Sequence, residues 1–169
     1  MASKALRRIG FFIIILIFLI WFIRFVFPSE VDDISPDIAC SSHVVEKSDV
    51  LWVIPKFGGY SISNNLDWCN YILSLNKTIG MHGVVHTYRE FEGNITNEYF
   101  DEGVKIFEEC FGFSPELFKP PQLIISDENI DLVESRGMKV KARFNQVTRK
   151  VYHCDDEPEF FSNEIIGLI

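Results

Sequence analysis

Basic residues are scarce in this chain. Its 169 residues include 16 Lys and Arg against 24 Asp and Glu, which gives a formal net charge of -8. The acidic excess falls entirely after the long apolar run near the N-terminus. Because a protein that binds nucleic acid needs a basic surface to neutralise phosphates, this charge balance argues against a nucleic-acid partner.

Cysteine is also sparse, and its spacing argues against one kind of site. The four cysteines are Cys40, Cys69, Cys110 and Cys154. None belongs to a C-x-x-C pair, which is typical of thiolate zinc sites. Disulfides would be compatible with an oxidising compartment, but the simplest interpretation, which we take as the expectation, is four isolated buried thiols.

Charged residues are nearly absent from residues 10–27, "GFFIIILIFLIWFIRFVF", where Arg24 alone interrupts an apolar run. At ~1.5 Å of rise per residue, a helix of this length nearly spans a hydrocarbon core of ~30 Å. Arg24 lies one turn from the end, where its guanidinium can reach the lipid headgroups. We interpret the run as a membrane helix in contact with lipid.

The flanking residues predict which side of the membrane each part occupies. The alternatives are a cleaved signal peptide and a hairpin or interfacial helix. No A-x-A-like cleavage site of the kind that a signal peptide needs follows the run. Lys4, Arg7 and Arg8 precede it, whereas acidic residues follow it. The positive-inside rule then predicts a single-pass protein with a cytoplasmic segment at 1–9, an anchor at 10–27 and a domain outside the cytoplasm at 28–169.

After the anchor, strand and helix patterns alternate. Short β-rich runs occupy residues 50–54, 78–81, 117–119, 138–144 and 150–154, after a short first strand in "SEVDDISP". Helical patterns occupy 66–75, 97–111 and 127–136, with Asn65, Thr96 and Ser126 as caps. The alternation predicts an α/β fold of βαβ units around a mostly parallel sheet. The connection over residues 34–49 is short for a helical crossover to a parallel neighbour.

Polar residues follow several of these strands. His82 and His86 come after the strand at 78–81, Asp32 and Asp33 end the first strand, and His153 ends the last. The carboxyl ends of parallel strands form one rim, so these side chains are predicted to converge. Taken singly they have plainer interpretations, as surface or core histidines and a solvated acidic linker. Together, imidazoles and a carboxylate are ligands for a divalent metal, with one position left for water.

The order of the motifs resembles a known enzyme family. "VDDISP", "WVIP", "HGVVH", "FKPP", "VYH" and the ending "HCDDEPEFFSN" resemble the motifs of polysaccharide deacetylases, especially a divergent branch with DD-x-x-P and HG-x-x-H. The resemblance runs from Val31 to the C-terminus. It implies a small, distorted (β/α) barrel with fewer than eight strands that acts on a glycan.

The resemblance also implies a role for each converging residue. Asp33, His82 and His86 would bind a divalent metal, Zn2+ before Co2+ or Ni2+. Asp32 would be the general base and His153 the general acid. The implied reaction is hydrolysis of an N-acetyl group from an amino sugar, with release of acetate.

Further residues would contact the substrate. Backbone N–H groups near Pro121 and Gln122 would help to hold the oxyanion. Tyr60 would belong to an aromatic platform for sugar rings, although aromatic residues at a barrel rim more often pack on one another. The other members of this platform would be Phe57, Tyr88 and Phe91.

Three departures from the family pattern motivate other functions, and one of them is the short connection over residues 34–49. Lys119 stands where the family usually has arginine, and lysine cannot form the planar fork that orients a carboxylate. Gln122 stands near the usual tyrosine. The alternative is therefore a catalytically degraded module that binds a glycan or a protein partner at the membrane surface. A third interpretation is a tethered α/β domain whose histidines are structural.

Overall fold

The computed structural model describes residues 2–142 and 145–154. The ending "HCDDEPEFFSN" lies outside this part from residue 155 onward, as do residues 143–144 of the predicted strand 138–144. In the described part the chain forms the helices α1 (Ala2–Val26), α2 (Ser42–Lys47), α3 (Leu66–Ser74), α4 (Asn97–Phe111), α5 (Asp127–Ser135) and α6 (Asn145–Thr148). Its strands are β1 (Glu30–Ile34), β2 (Val50–Val53), β3 (Thr78–His82), β4 (Leu117–Lys119), β5 (Lys139–Val140) and β6 (Val151–His153).

The three predicted helices form with the predicted caps. The side chains of Asn65, Thr96 and Ser126 each accept a hydrogen bond from a backbone N–H in the first turn of α3, α4 and α5. Helix α4 ends at Gly112, whose φ of 78° is a conformation that glycine adopts without strain. Both short helices, α2 and α6, were missed because so few residues carry no clear periodicity.

All six strands are parallel, in the spatial order β5-β4-β3-β2-β1-β6. The chain adds strands in one direction from β1 to β5 and then returns to place β6 on the other side of β1. This is the circular order of a (β/α) barrel, with a gap between β5 and β6 among the described residues. The predicted small α/β fold is thus confirmed, with six strands.

The connection over residues 34–49, which we expected to be short for a helical crossover, does contain a helix. Strand β1 pairs with β2 in parallel, with Glu30 beside Val50. The six-residue helix α2 lies between them. A helix this short suffices because the two strands are immediate neighbours.

The two faces of the sheet carry different chemistry, because side chains alternate along a strand. One face is apolar and packs in the core beneath the helices; it includes Val31, Leu51, Val53, Ile79, Met81 and Phe118. The alternate residues on the other face are Glu30, Asp32, Trp52, Gly80, His82 and Lys119. This polar face is buried as well, so its charges need partners inside the protein.

The prediction of isolated thiols was wrong, because all four cysteines are paired. Cys69–Cys110 joins α3 to α4. Cys40–Cys154 joins the loop after β1 to the residue that follows β6, with a sequence separation of 114 between the two half-cystines. This second disulfide links the end of β6, immediately after His153, covalently to the loop after β1.

The N-terminal helix has a stretch, Leu6–Val26, that is long and apolar enough to cross a membrane, although a signal sequence meets the same criterion. Arg24 does not face outward as expected. It is 7% exposed, and its Nη1 donates to the carbonyl oxygens of Gln146 at 2.7 Å and Val147 at 3.4 Å. The guanidinium therefore joins α1 to α6 of the domain, because the unpaired carbonyls of α6 accept its hydrogen bonds.

Gly80 leaves room for Trp52 on the buried polar face. A Cβ at position 80 would lie 2.5 Å from Cζ3 of the Trp52 ring. Gly80→Ala is therefore expected to lower the free energy of unfolding by about 1–3 kcal/mol through overpacking. Denaturant unfolding of the full chain in detergent measures this, and Gly93→Ala, with no atom within 4 Å of the added Cβ, is the matched control. Equal stability of the two variants would contradict this packing.

Candidate metal centre

A bulge in β1 brings two consecutive carboxylates to one site. The register of β1 against β2 shifts between Val31 and Ile34, and Asp33 has a φ of 65°. In a regular strand Asp32 and Asp33 would point to opposite faces, but a bulge re-aims a side chain. Aspartate tolerates this left-handed conformation better than most residues.

The end of β3 fixes the orientation of His82. This residue is 3% exposed, and its Nδ1 lies 2.9 Å from the carbonyl oxygen of Lys119. Because a carbonyl can only accept a hydrogen bond, Nδ1 carries the hydrogen in the neutral ring, which we assign from this partner. The lone pair then lies on Nε2, and that atom faces Asp33 and His86.

Three donor atoms converge at this point. Nε2 of His82 and Nε2 of His86 lie 3.4 Å and 3.0 Å from Oδ1 of Asp33, and 3.2 Å from each other. A tetrahedral zinc ion with bonds of about 2.0–2.1 Å would separate its ligand atoms by roughly 3.3 Å. The three residues therefore fit a metal ion in spacing and in donor type.

Oδ1 of Asp33 gives a second reason for this fit. The atom is buried and accepts no well-formed hydrogen bond, although both imidazoles lie beside it. A buried carboxylate oxygen without a partner costs free energy, which a cation would offset. The group of Asp33, His82 and His86 is a site that can hold a metal ion.

The electrostatics of this group favour an ionised carboxylate. Burial alone would raise the pKa of Asp33, but the imidazoles of His82 and His86 outweigh it and hold the pKa well below its usual range. Burial would lower the pKa of His86, but the carboxylate of Asp33 beside the ring, and then the charge of Glu90, raise it.

The ammonium group of Lys119 lies beside the buried carboxylates next to the site. Its side chain is fully buried, with Nζ 2.6 Å from Oδ1 of Asp32 and 3.3 Å from Oε2 of Glu30. Oε2 of Glu30 also accepts hydrogen bonds from the Trp52 indole at 2.8 Å and the Asn145 amide at 2.7 Å. One lysine thus binds two buried carboxylates.

Asp32 also faces His153. Its Oδ2 lies 3.6 Å from Nε2 of His153, and the two residues are register partners in β1 and β6. The side chain of His153 is 30% exposed, whereas that of Asp32 is 4% exposed. The imidazole therefore lies between the buried carboxylate and the solvent.

The predicted substrate residues lie in loops after the strands. Pro121 is buried and packs at Gly83, beside His82, where a glycine Cβ would come 2.8 Å from the proline ring. Gln122 follows with a φ of 53°, and its Oε1 accepts the Arg89 N–H at 2.7 Å. Because proline has no N–H, Gln122 is the one of this pair that offers a backbone donor.

The predicted aromatic platform does not form as a unit. Tyr60 and Tyr88 are exposed, at 70% and 80%. Phe91 is instead fully buried in the core, with its ring centroid 4.7 Å from Phe118 and 6.0 Å from Phe100. Its apolar ring is more stable there than at a solvated rim.

Sequence reasoning missed Glu30, Glu90 and Asn145, which all bind residues of the site. Glu30 was predictable, since it lies two residues before Asp32 in β1 and must share its face. No comparable signal marked the others. Asn145 belongs to the unpredicted helix α6, and Glu90 lies in an irregular loop.

Comparisons with known proteins agree with this fold. No family model and no curated protein matches the chain. Its structure is similar to a peptidoglycan N-acetylglucosamine deacetylase, with a TM-score of 0.52, 11% identity, and coverage of 66% of this chain and 54% of that one. At this identity the likeness concerns the fold, and the chain spans about half of that deacetylase.

Two other solved structures also match. One is a polysaccharide deacetylase from Bacillus cereus, with a TM-score of 0.46, 14% identity, and coverage of 70% of this chain and 69% of that one. The other is a CE4 family pseudoenzyme from Bacillus anthracis, with a TM-score of 0.44, 15% identity, and coverage of 54% of this chain and 31% of that one. The likeness to the peptidoglycan N-acetylglucosamine deacetylase shows that the parallel sheet of six strands has the fold of that deacetylase.

Replacement of Asp33 tests the metal site directly. We expect Asp33→Asn to weaken zinc binding by more than about 100-fold, beyond the 10–100-fold typical of a group that only supports a ligand. Competition with a chromophoric chelator measures the affinity. Asp37→Asn changes the same charge at an exposed position of the next loop, and it should bind zinc like the wild type. Equal affinity in all three proteins would contradict the site.

Replacement of Lys119 tests the charge layer, by which we mean the buried side chains of Glu30, Asp32 and Lys119. Lys119→Met leaves Glu30 and Asp32 without their ammonium partner, so we expect the free energy of unfolding to fall by about 3–5 kcal/mol. Lys105→Met is the control, because Lys105 is 74% exposed and pairs loosely with Glu109. Denaturant unfolding that gives the same midpoint for both variants would show that Lys119 is not required.

Proposed function

We propose that this protein is a metal-dependent hydrolase that removes N-acetyl groups from an amino-sugar glycan. The observation that carries the proposal is the convergence of Asp33, His82 and His86 beside Asp32 and His153. Four of them lie at the carboxyl ends of strands, and His86 lies in the loop after β3, at the edge of the sheet where α/β folds place their sites.

Asp33, His82 and His86 would hold the metal, Zn2+ before Co2+ or Ni2+, since two imidazoles and one carboxylate suit such ions. When bound, the metal would act as a Lewis acid on the acetyl carbonyl and would lower the pKa of a water molecule, so that the water ionises to a hydroxide able to attack that carbonyl. Hydrogen bonding to the Lys119 carbonyl keeps His82 in the tautomer that a ligand requires.

Asp32 and His153 are the proposed proton carriers. Oδ1 of Asp32 is bound to Lys119, so Oδ2 is the oxygen that would accept a proton from water. Protonated His153 would give a proton to the nitrogen of the breaking amide bond, which then leaves as an amine. Transfer of a proton across the 3.6 Å between Oδ2 and the imidazole would restore both groups.

Other residues would bind the substrate. The Gln122 backbone N–H is the proposed donor to the oxyanion of the acetyl group, with Pro121 fixing the turn against Gly83. Exposed Tyr60 offers an aromatic face to a sugar ring. The proposed substrate is a glycan that contains N-acetylated amino sugars, whose acetyl amide the proposed metal, base and acid would hydrolyse.

We further propose that α1 anchors the domain outside the cytoplasm. The stretch Leu6–Val26 is long enough to span, and the basic residues before it favour a cytoplasmic N-terminus. Two disulfides are typical of an oxidising compartment. The buried Arg24 contact with α6 favours an uncleaved helix, because cleavage after the helix would remove a partner of the folded domain.

A glycan-binding module without catalysis is the second candidate. The burial of Asp32, 3% exposed with one oxygen on Lys119, favours it, because a base held in this way has restricted access to water. The two functions differ in one readout. A binding module retains glycan affinity when Asp32 is replaced and releases no acetate.

Acetate release decides between them. The zinc-loaded full chain in detergent is expected to release acetate from N-acetylglucosamine oligosaccharides, and Asp32→Asn should slow this by about 10²–10⁴-fold, as for loss of a general base. Asp37→Asn is the matched control, with activity near that of the wild type. Binding of the oligosaccharides without acetate release by the wild type would establish the module instead.

A further inference from the structure

The loop after β3 holds His86 in a conformation that needs support. Gly83, His86 and Arg89 have φ values of 64°, 62° and 55°. Glycine adopts such angles freely, but for residues with a side chain they are uncommon. Residues of this kind persist where the surrounding structure holds them.

The support is the carboxylate of Glu90. Its Oε1 accepts the N–H groups of Val84 at 2.9 Å and Val85 at 3.1 Å, and its Oε2 accepts the N–H of His86 at 2.9 Å. Three consecutive amides thus converge on one carboxylate, an arrangement that binds anions well. The chain between His82 and His86 is folded around this group.

Helix α4 fixes the carboxylate from behind. The Tyr99 hydroxyl donates to Oε1 of Glu90 at 2.6 Å. Tyr99 lies in the first turn of α4, which Thr96 caps. The loop is therefore joined through Glu90 to a rigid element of the core.

Gly83 is explained by the same group. A Cβ at position 83 would lie 2.5 Å from Oε2 of Glu90. The carboxylate occupies the space that a side chain would need, which accounts for glycine after His82 in "HGVVH". Both oxygens of Glu90 are bound to N–H groups, so Glu90 is not itself a ligand of the candidate metal centre.

We propose that Glu90, held by Tyr99, is a positioning residue that keeps His86 in the geometry of a metal ligand and thereby sets the metal affinity of the site. The inference rests on the proposed metal site and adds a residue to it. Outer groups that orient a ligand typically change metal affinity by about 10–100-fold.

The experiment uses the full chain in detergent with two measurements. The first is zinc affinity by chelator competition, and the second is hydrogen exchange of the Val84, Val85 and His86 amides in the metal-free protein. We expect Glu90→Gln to weaken zinc about 10–100-fold and to speed exchange of these amides. Tyr99→Phe, which changes no charge, should shift both in the same direction by a smaller factor.

Glu92→Gln is the control. Glu92 lies two residues away, is about half exposed and pairs with Arg89 at 2.9 Å. It removes the same charge without touching the three amides, so its zinc affinity and exchange should match the wild type. An equal loss of affinity in Glu92→Gln and Glu90→Gln would overturn the inference, because charge alone would then explain the effect.

Further results separate the role of Glu90 from the proposed function. Wild-type zinc affinity in Glu90→Gln overturns the inference and leaves the proposed function standing. A wild type that binds no zinc overturns the proposed function and the role of Glu90 in metal affinity, while unchanged amide exchange in Glu90→Gln overturns the loop contact itself. Should Glu90→Gln not fold, Tyr99→Phe decides, and unchanged affinity in that variant counts against the proposal.

Discussion

The ammonium group of Lys119 is the interaction on which the site depends. It is fully buried between Glu30 and Asp32, and three charges inside a protein are stable only when they are paired. The charge layer connects three strands and α6, because Glu30 also binds Trp52 and Asn145. Lysine at this position gives Asp32 one short ion pair and leaves its other oxygen facing His153.

Around this layer, backbone conformations that are unfavourable in isolation bring the ligands together. Asp33, His86, Arg89 and Gln122 all have positive φ values, and all lie in β1 or the loops that surround the site. Hydrogen bonds to side chains offset the free-energy cost of these conformations, because Glu90 accepts the His86 N–H and Gln122 accepts the Arg89 N–H. The clustering of strained residues at one rim agrees with a functional site there.

Periodicity predicted most of the fold and part of the site. The apolar face and the caps placed α4 at Asn97–Phe111 as expected, and alternation of strands and helices predicted the parallel sheet. The placement of Asp33, His82 and His86 after strands predicted that they lie close together, and they do so in the structure. The bulge at Asp33 and the loop around Glu90 were not predictable, because both depend on contacts between residues that no local pattern relates. The disulfides were missed for the same reason, since Cys40 and Cys154 meet only when β6 lies beside β1.

We infer that the three converging donor atoms form a metal centre. The metal content of the purified full chain, measured by elemental mass spectrometry after reconstitution with zinc and removal of excess ions, tests this inference. We expect one transition-metal ion per chain, removed by a strong chelator. A chain that folds with both disulfides intact and retains no metal would contradict it, and would identify Asp33, His82 and His86 as structural residues.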